Sequence, residues 1–341
     1  MKNSKELFVC TSYHHIMTAL AKKRCNETSM DLIVSNYSTG DEYWIDILPK
    51  LKEYKLFDNI FYFDERKHHP PKPTRILATY IYEFVTEEKI IKKIKGLDLK
   101  KYNLVYLIDD KMFPASTIIK HNIPYHLLED TAMTYQYMNK LGTSKIMKLP
   151  YRYICVFFRF LRYWHPVFGY ANCCKAIEVS SSDNLPDQLP KDKLVVVDRN
   201  KMIRDLPITD IKVLCEIFLG QYSLEYLKQK TNMIIIFTSL YRRGRQYADE
   251  QIRICQKLMS KFKNYKFIIK PHPRDLTNYK EAFPDTIVLD RRFPSELLNY
   301  IDGIAVDYAI SVCSTAVDTC NFAKITKYYT LADVGEYIPY E

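Results

Sequence analysis

The chain has 341 residues, 47% of them hydrophobic and 26% charged, with no low-complexity run. That is a globular composition, long enough for two cores, and it excludes a disordered or fibrous chain. A net charge of +10, from 50 basic and 40 acidic residues, favours anionic partners: sugar nucleotides, acidic glycans, anionic membranes or nucleic acid.

Nine cysteines show no C-x-x-C pair. This pattern argues against a zinc ribbon or a disulfide framework and reads as reduced thiols in a cytoplasmic protein. Met1 to Glu6 is polar, which predicts no secretory leader. No run reaches the roughly 18 apolar residues that span a bilayer. The nearest, Tyr151 to Tyr170, is broken by Arg152, Arg159, Arg162 and His165.

Strands are predicted at 7–11, 31–35, 59–63, 103–108 and 125–128, with helices at 16–24, 44–54, 87–95 and 113–121 between them. A second alternating block has strands at 233–237, 266–270, 287–289, 303–309 and 325–330, and helices at 249–262, 294–300 and 314–322. Strands separated by helices imply parallel pairing through right-handed crossovers. The pattern predicts two doubly wound α/β domains facing across a cleft: residues 1–165, a linker region at 166–206, and residues 207–341.

Three stretches at the carboxyl ends of predicted strands could carry chemistry, since open α/β sheets bind ligands there. The first is Glu129-Asp130, where a partly buried carboxylate could serve as a base. Asp130 could instead be a helix cap. The second is His272, bracketed by Pro271 and Pro273, which stiffen the backbone that aims the imidazole. Lys270 and Arg274 nearby would welcome an anion and lower the imidazole pKa. A histidine capping a strand turn is the structural alternative. The third is Ser311 to Ala316, where Ser314 and Thr315 at a helix start could bind phosphate or simply cap. Glu296, in the first turn of the neighbouring helix, could take ribose hydroxyls.

In this order, the motifs Glu129-Asp130-Thr131, His272-Pro273 and Ser314-Thr315 resemble those of the bacterial sialyltransferases of glycosyltransferase family 52 and the related polysialyltransferases. The opening segment Leu7 to His14 also resembles the amino-terminal strand of that family. The resemblance implies a GT-B fold and an inverting transferase that takes sialic acid from CMP-sialic acid without a metal or other cofactor. It implies Glu129 or Asp130 as base and His272 as acid, with Ser314 and Thr315 on the phosphate. Lys270, Pro273 and Glu296 would lie near the donor, and Thr11, Tyr13 and His14 near the acceptor. The acceptor would be an oligosaccharide or lipid-linked glycan of capsule or lipo-oligosaccharide, reached from the cytoplasm with peripheral contact at the inner membrane face. Thr131 stands where the family usually has glycine.

Other readings compete. A cytidine-nucleotide-dependent transferase of cell-wall polymer synthesis would use similar histidines and serines. A metal-dependent transferase would need Asp109-Asp110 as ligands. A non-catalytic protein binding anionic ligands could use the aromatic-basic segment 151–170. Nucleic acid is not expected as a partner.

Overall fold

The computed structural model describes residues 4–36, 44–68, 86–110, 112–130, 168–183, 185–187, 189–220, 224–228, 232–240 and 246–335. Segment 151–167 and Thr131, both considered above, lie outside them. The chain divides into two compact units, Met1–Leu206 and Pro207–Glu341.

The first unit is built on a seven-stranded sheet whose paired strands all run parallel. Its strands are β1 (Lys5–Cys10), β2 (Ser29–Ser35), β3 (Ile60–Phe63), β4 (Leu104–Leu107), β5 (Tyr125–Leu128), β6 (Cys174–Val179) and β7 (Leu194–Val196). They are ordered β3-β2-β1-β4-β5-β6-β7, so the winding reverses between β1 and β4. The central strands β1, β2 and β4 are near-continuous apolar runs, buried along almost their whole length as in parallel sheets covered on both faces. One face buries Leu7, Val9, Val105, Leu107, Leu127 and Ile177 in a single core.

Helix α1 (Tyr13–Asn26) starts at Ser12, whose side chain accepts the His15 N–H, and ends at Glu27 in the left-handed region, φ 51°. It packs beside helix α2 (Arg199–Arg204), capped by Asp198.

Of residues 166–206, read from sequence as linker, those described belong to this first unit. They contain β6, β7 and α2. Gly169 shows why the chain can turn into β6. It has φ +68°, and a Cβ there would fall 2.3 Å from Ile177 Cδ1.

The second unit carries five parallel strands, β8 (Met233–Phe237), β9 (Lys266–Lys270), β10 (Ile287–Val288), β11 (Val306–Val312) and β12 (Ala323–Tyr329), ordered β10-β9-β8-β11-β12. Winding reverses between β8 and β11. Helices α3 (Ile208–Leu219) and α4 (Gln246–Ser260) flank the strands in sequence. α4 supplies Ile254, Cys255 and Leu258 to a core with Ile234, Ile236, Ile269 and Ile310.

Two expectations shift here. The strand predicted at 303–309 instead runs from Val306 to Val312, because Ile310 and Val312 alternate into the core. The helices predicted at 294–300 and 314–322 are 3-10 turns, Ser295–Tyr300 and Thr315–Thr319. Among the described residues, no helix is long and apolar enough to cross a membrane.

Candidate active site

Parallel strands bring all carboxyl ends in a unit to one edge, and each unit gathers its notable side chains there.

In the first unit that edge holds a cavity of about 110 Å³ lined by Thr11, Glu65, Asp109 and Asp130 over a floor that includes Val9 and Phe113. Asp130 follows β5 and its side chain is half exposed, 52%. Its Oδ1 lies 2.8 Å from Nε2 of His15, a residue the sequence reading left without a role. The backbone N–H of Thr11 donates to the other ring nitrogen, Nδ1, at 3.1 Å. The Nε2–H is therefore directed at the carboxylate. Burial pushes the Asp130 carboxyl up, but the hydrogen bond from His15 and the charges of His15, His14 and Arg199 outweigh it and hold the pKa down to about 2.

Its neighbour Glu129 is bound into the structure. It is buried, and Oε2 accepts the Ser180 N–H at 2.8 Å and the Ser180 hydroxyl at 2.7 Å. Arg199 Nη2 lies 3.6 Å from the same oxygen, and Arg199 also donates to the Glu129 carbonyl. Of the two candidate bases, only Asp130 reaches the cavity. Ser180 and Arg199 escaped sequence reasoning because β6 and α2 went unrecognised.

The acceptor-side candidates separate. Thr11 lines the cavity and His14 is half buried. Tyr13, the third acceptor-side candidate, is a core residue, 4% exposed and edge-on to Trp44 at 5.3 Å. It begins α1 and so falls on the helix face that meets Trp44.

The adjacent carboxylates Asp109 and Asp110 diverge. Asp109 lines the cavity, whereas buried Asp110 accepts from Tyr125 OH at 2.8 Å and the Gly169 N–H at 2.7 Å. Among the described residues, no three His, Cys, Asp or Glu side chains are grouped to hold a metal ion.

In the second unit, His272 sits just past β9, half buried. Its N–H donates to Thr238 Oγ1 at 2.9 Å, at the end of neighbouring β8. Thr238 and Tyr279 in turn donate to buried Asp275, at 2.8 and 2.7 Å. The Arg274 N–H donates to His272 Nδ1 at 3.1 Å. Burial first, then the charges of Arg274 and Lys270, lower the imidazole pKa to about 4, so the ring is neutral at physiological pH. With Nδ1 accepting, the ring proton lies on Nε2.

Lys270 faces inward. It is buried, donates to the carbonyls of Pro271 (2.9 Å) and Arg291 (3.1 Å), and lies 5.1 Å from the Phe293 ring centroid. Burial lowers its pKa to about 8, against the pull of Glu296 and Asp290. Its ammonium thus staples the backbone of the turn below His272. Pro273 contributes its carbonyl to Arg291 Nη1 at 3.1 Å.

At the end of β11, Cys313 adopts φ 51° and its carbonyl accepts from Ser239 Oγ at 3.2 Å. Half-buried Ser314 follows, its hydroxyl accepting the Ala316 N–H at 3.3 Å. Because a 3-10 turn of five residues replaces the expected helix, no helix macrodipole stands behind Ser314. Thr315 starts that turn, and its side chain lies outside the described set. Glu296 occupies the 3-10 turn after β10, near enough to act on the Lys270 charge. The Ser239 hydroxyl thus ties the end of β8 to Cys313, the residue before Ser314, at the winding reversal between β8 and β11.

The model of glycosyltransferase family 52 matches residues 77–332. An uncharacterised protein of Haemophilus influenzae (strain Rd) is 24% identical over 166 residues, 48% of this chain. The match spans 53% of that relative, about half its length. Among solved structures, the α/β-galactoside α-2,3-sialyltransferase of the luminous marine bacterium Photobacterium phosphoreum is similar in fold. The TM-score is 0.54 at 13% identity, covering 96% of this chain and 91% of that one. With its two parallel-sheet α/β units and this likeness in fold, the chain has the expected GT-B class.

Proposed function

Because the chain belongs to glycosyltransferase family 52, we propose that it moves sialic acid from CMP-sialic acid to a sugar hydroxyl of a bacterial surface glycan, in capsule or lipo-oligosaccharide. The single observation that carries this reading is the His272 imidazole held just past β9 by the Arg274 N–H at Nδ1, in the same unit as Ser314 at the end of β11.

Sialyl transfer passes through an oxocarbenium-like state. The bond from the anomeric carbon to the phosphate oxygen breaks as the acceptor oxygen bonds to the opposite face, inverting the configuration. Charge grows on the departing CMP phosphate, and groups that meet it there lower the barrier. His272 Nε2–H and the Ser314 hydroxyl are the donors assigned to it. A phosphate beside the ring also raises its proton affinity, so the neutral imidazole of the free enzyme becomes a better proton holder as the leaving group forms.

The acceptor hydroxyl loses its proton to Asp130. With so low a pKa this carboxylate is a weak base, which suits a late proton transfer from an oxygen already bonding to a cationic carbon. The proposal assigns no metal, and the diversion of Asp110 into the core supports that. It places the enzyme in the cytoplasm, with a lipid-linked or oligosaccharide acceptor met at the inner membrane face.

The test is incubation with CMP-sialic acid and a galactoside acceptor in EDTA. Release of CMP with a sialylated product is expected. Turnover only with another nucleotide sugar, or only after a divalent metal is restored, would overturn the respective part.

A further inference from the structure

We propose that His15 is a positioning residue for Asp130, clamping the carboxylate at the cavity rim so that its exposed part faces an incoming hydroxyl. The inference rests on the reading in which Asp130 receives the acceptor proton.

The geometry is directional. Ser12 caps α1 and receives the His15 N–H at 3.4 Å, which fixes His15 in the first helical turn. The side chain is then buried, 3% exposed, beneath the end of β1. Thr11 presents its N–H to Nδ1 at 3.1 Å, and its hydroxyl lies 3.2 Å from the same nitrogen. With Nδ1 accepting, the ring must carry its proton on Nε2, 2.8 Å from Asp130 Oδ1.

A histidine serving only the core would spend this bond on a buried group. Here the partner is a half-exposed carboxylate lining a 110 Å³ cavity that Thr11 also lines. One end of the relay is thus main chain, and the other is the group proposed to react. Fixing Oδ1 leaves the carboxylate one orientation toward the cavity and removes the rotamer search from the reaction step.

The test is a double-mutant cycle on the full chain, with CMP-sialic acid and a galactoside acceptor. His15→Ala should lower kcat about tenfold or more, the scale of one lost charge-assisted hydrogen bond, with KM for the donor unchanged. His15→Gln should recover part of this, because its amide N–H can reach Asp130. In an Asp130→Asn background, His15→Ala should add little. An unchanged kcat in His15→Ala, or a full additive loss in that background, overturns the proposal.

Should His15→Ala not fold, ¹⁵N shifts of His15 in the wild-type protein decide. A pyridine-like Nδ1 with protonated Nε2 supports the proposal, and the opposite tautomer overturns it. If CMP-sialic acid is not turned over, the donor reading fails by itself. The cycle is then run with whichever donor the enzyme accepts.

Discussion

The backbone N–H of Arg274 donates to His272 Nδ1 at 3.1 Å, and this one contact decides which ring nitrogen can serve a substrate. With Nδ1 occupied, the proton rests on Nε2. The two residues lie one proline apart, so the contact is local and the ring orientation is set by the turn itself. His272→Ala should therefore lower kcat about a hundredfold or more while leaving the unfolding midpoint near wild type. Steady-state kinetics beside a urea melt read both quantities.

The same site makes stability depend on pH. The folded pKa of His272 is about 4 against an ordinary value of 6.5. Between these values the unfolded chain binds the extra proton, so stability rises with pH through that window. This contribution is complete above about pH 6.5 and is lost as pH falls toward 4. Urea midpoints at pH 4.5 and 7 should differ less in His272→Asn than in the wild type, each pH being an experimental setting of about that value.

The two adjacent carboxylates should fail differently. Asp130→Asn keeps an oxygen for His15 and should fold normally while losing about a hundredfold in kcat. Glu129→Gln removes the charge facing Arg199 and disturbs the bonds from Ser180, and should cost about 1–3 kcal/mol of stability. Per folded molecule, Glu129→Gln should keep near wild-type kcat. Equal kinetic losses in both variants would contradict the separation of roles.

A buried ionic cluster under α1 gives a prediction about the scaffold alone. Lys22 Nζ lies 2.7 Å from Glu178 Oε2 and 4.8 Å from the Tyr106 ring centroid, and His126 Nδ1 is 2.8 Å from Glu178 Oε1. Burial would raise the Glu178 pKa, yet His126 and Lys22 together lower it. Lys22→Met leaves that carboxylate with His126 alone and should destabilise the first unit by about 1–3 kcal/mol, measured by urea unfolding.

What the sequence disclosed follows from physical contrast. β5, β8 and β9 are short runs of aromatic and branched residues between charged or turn-forming neighbours, and their bounds agree with expectation. β6 and β7 were missed. Cys174–Val179 carries Lys175 and Glu178, and the buried Glu178 is tolerated only because Lys22 and His126, distant in sequence, meet it. Asp130 and His272 were legible as candidates because each follows a clear strand. His15 was not, since it acts through a residue 115 positions away. The inward turn of Lys270 was equally hidden. Only the fold shows that the carbonyls of Pro271 and Arg291 converge on its ammonium.

The most direct measurement is a crystal structure with cytidine monophosphate bound. The account predicts the phosphate within hydrogen-bonding distance of His272 Nε2 and the Ser314 hydroxyl. A nucleotide seated away from the ends of β8, β9 and β11, or a His272 ring without contact to its phosphate, would contradict it.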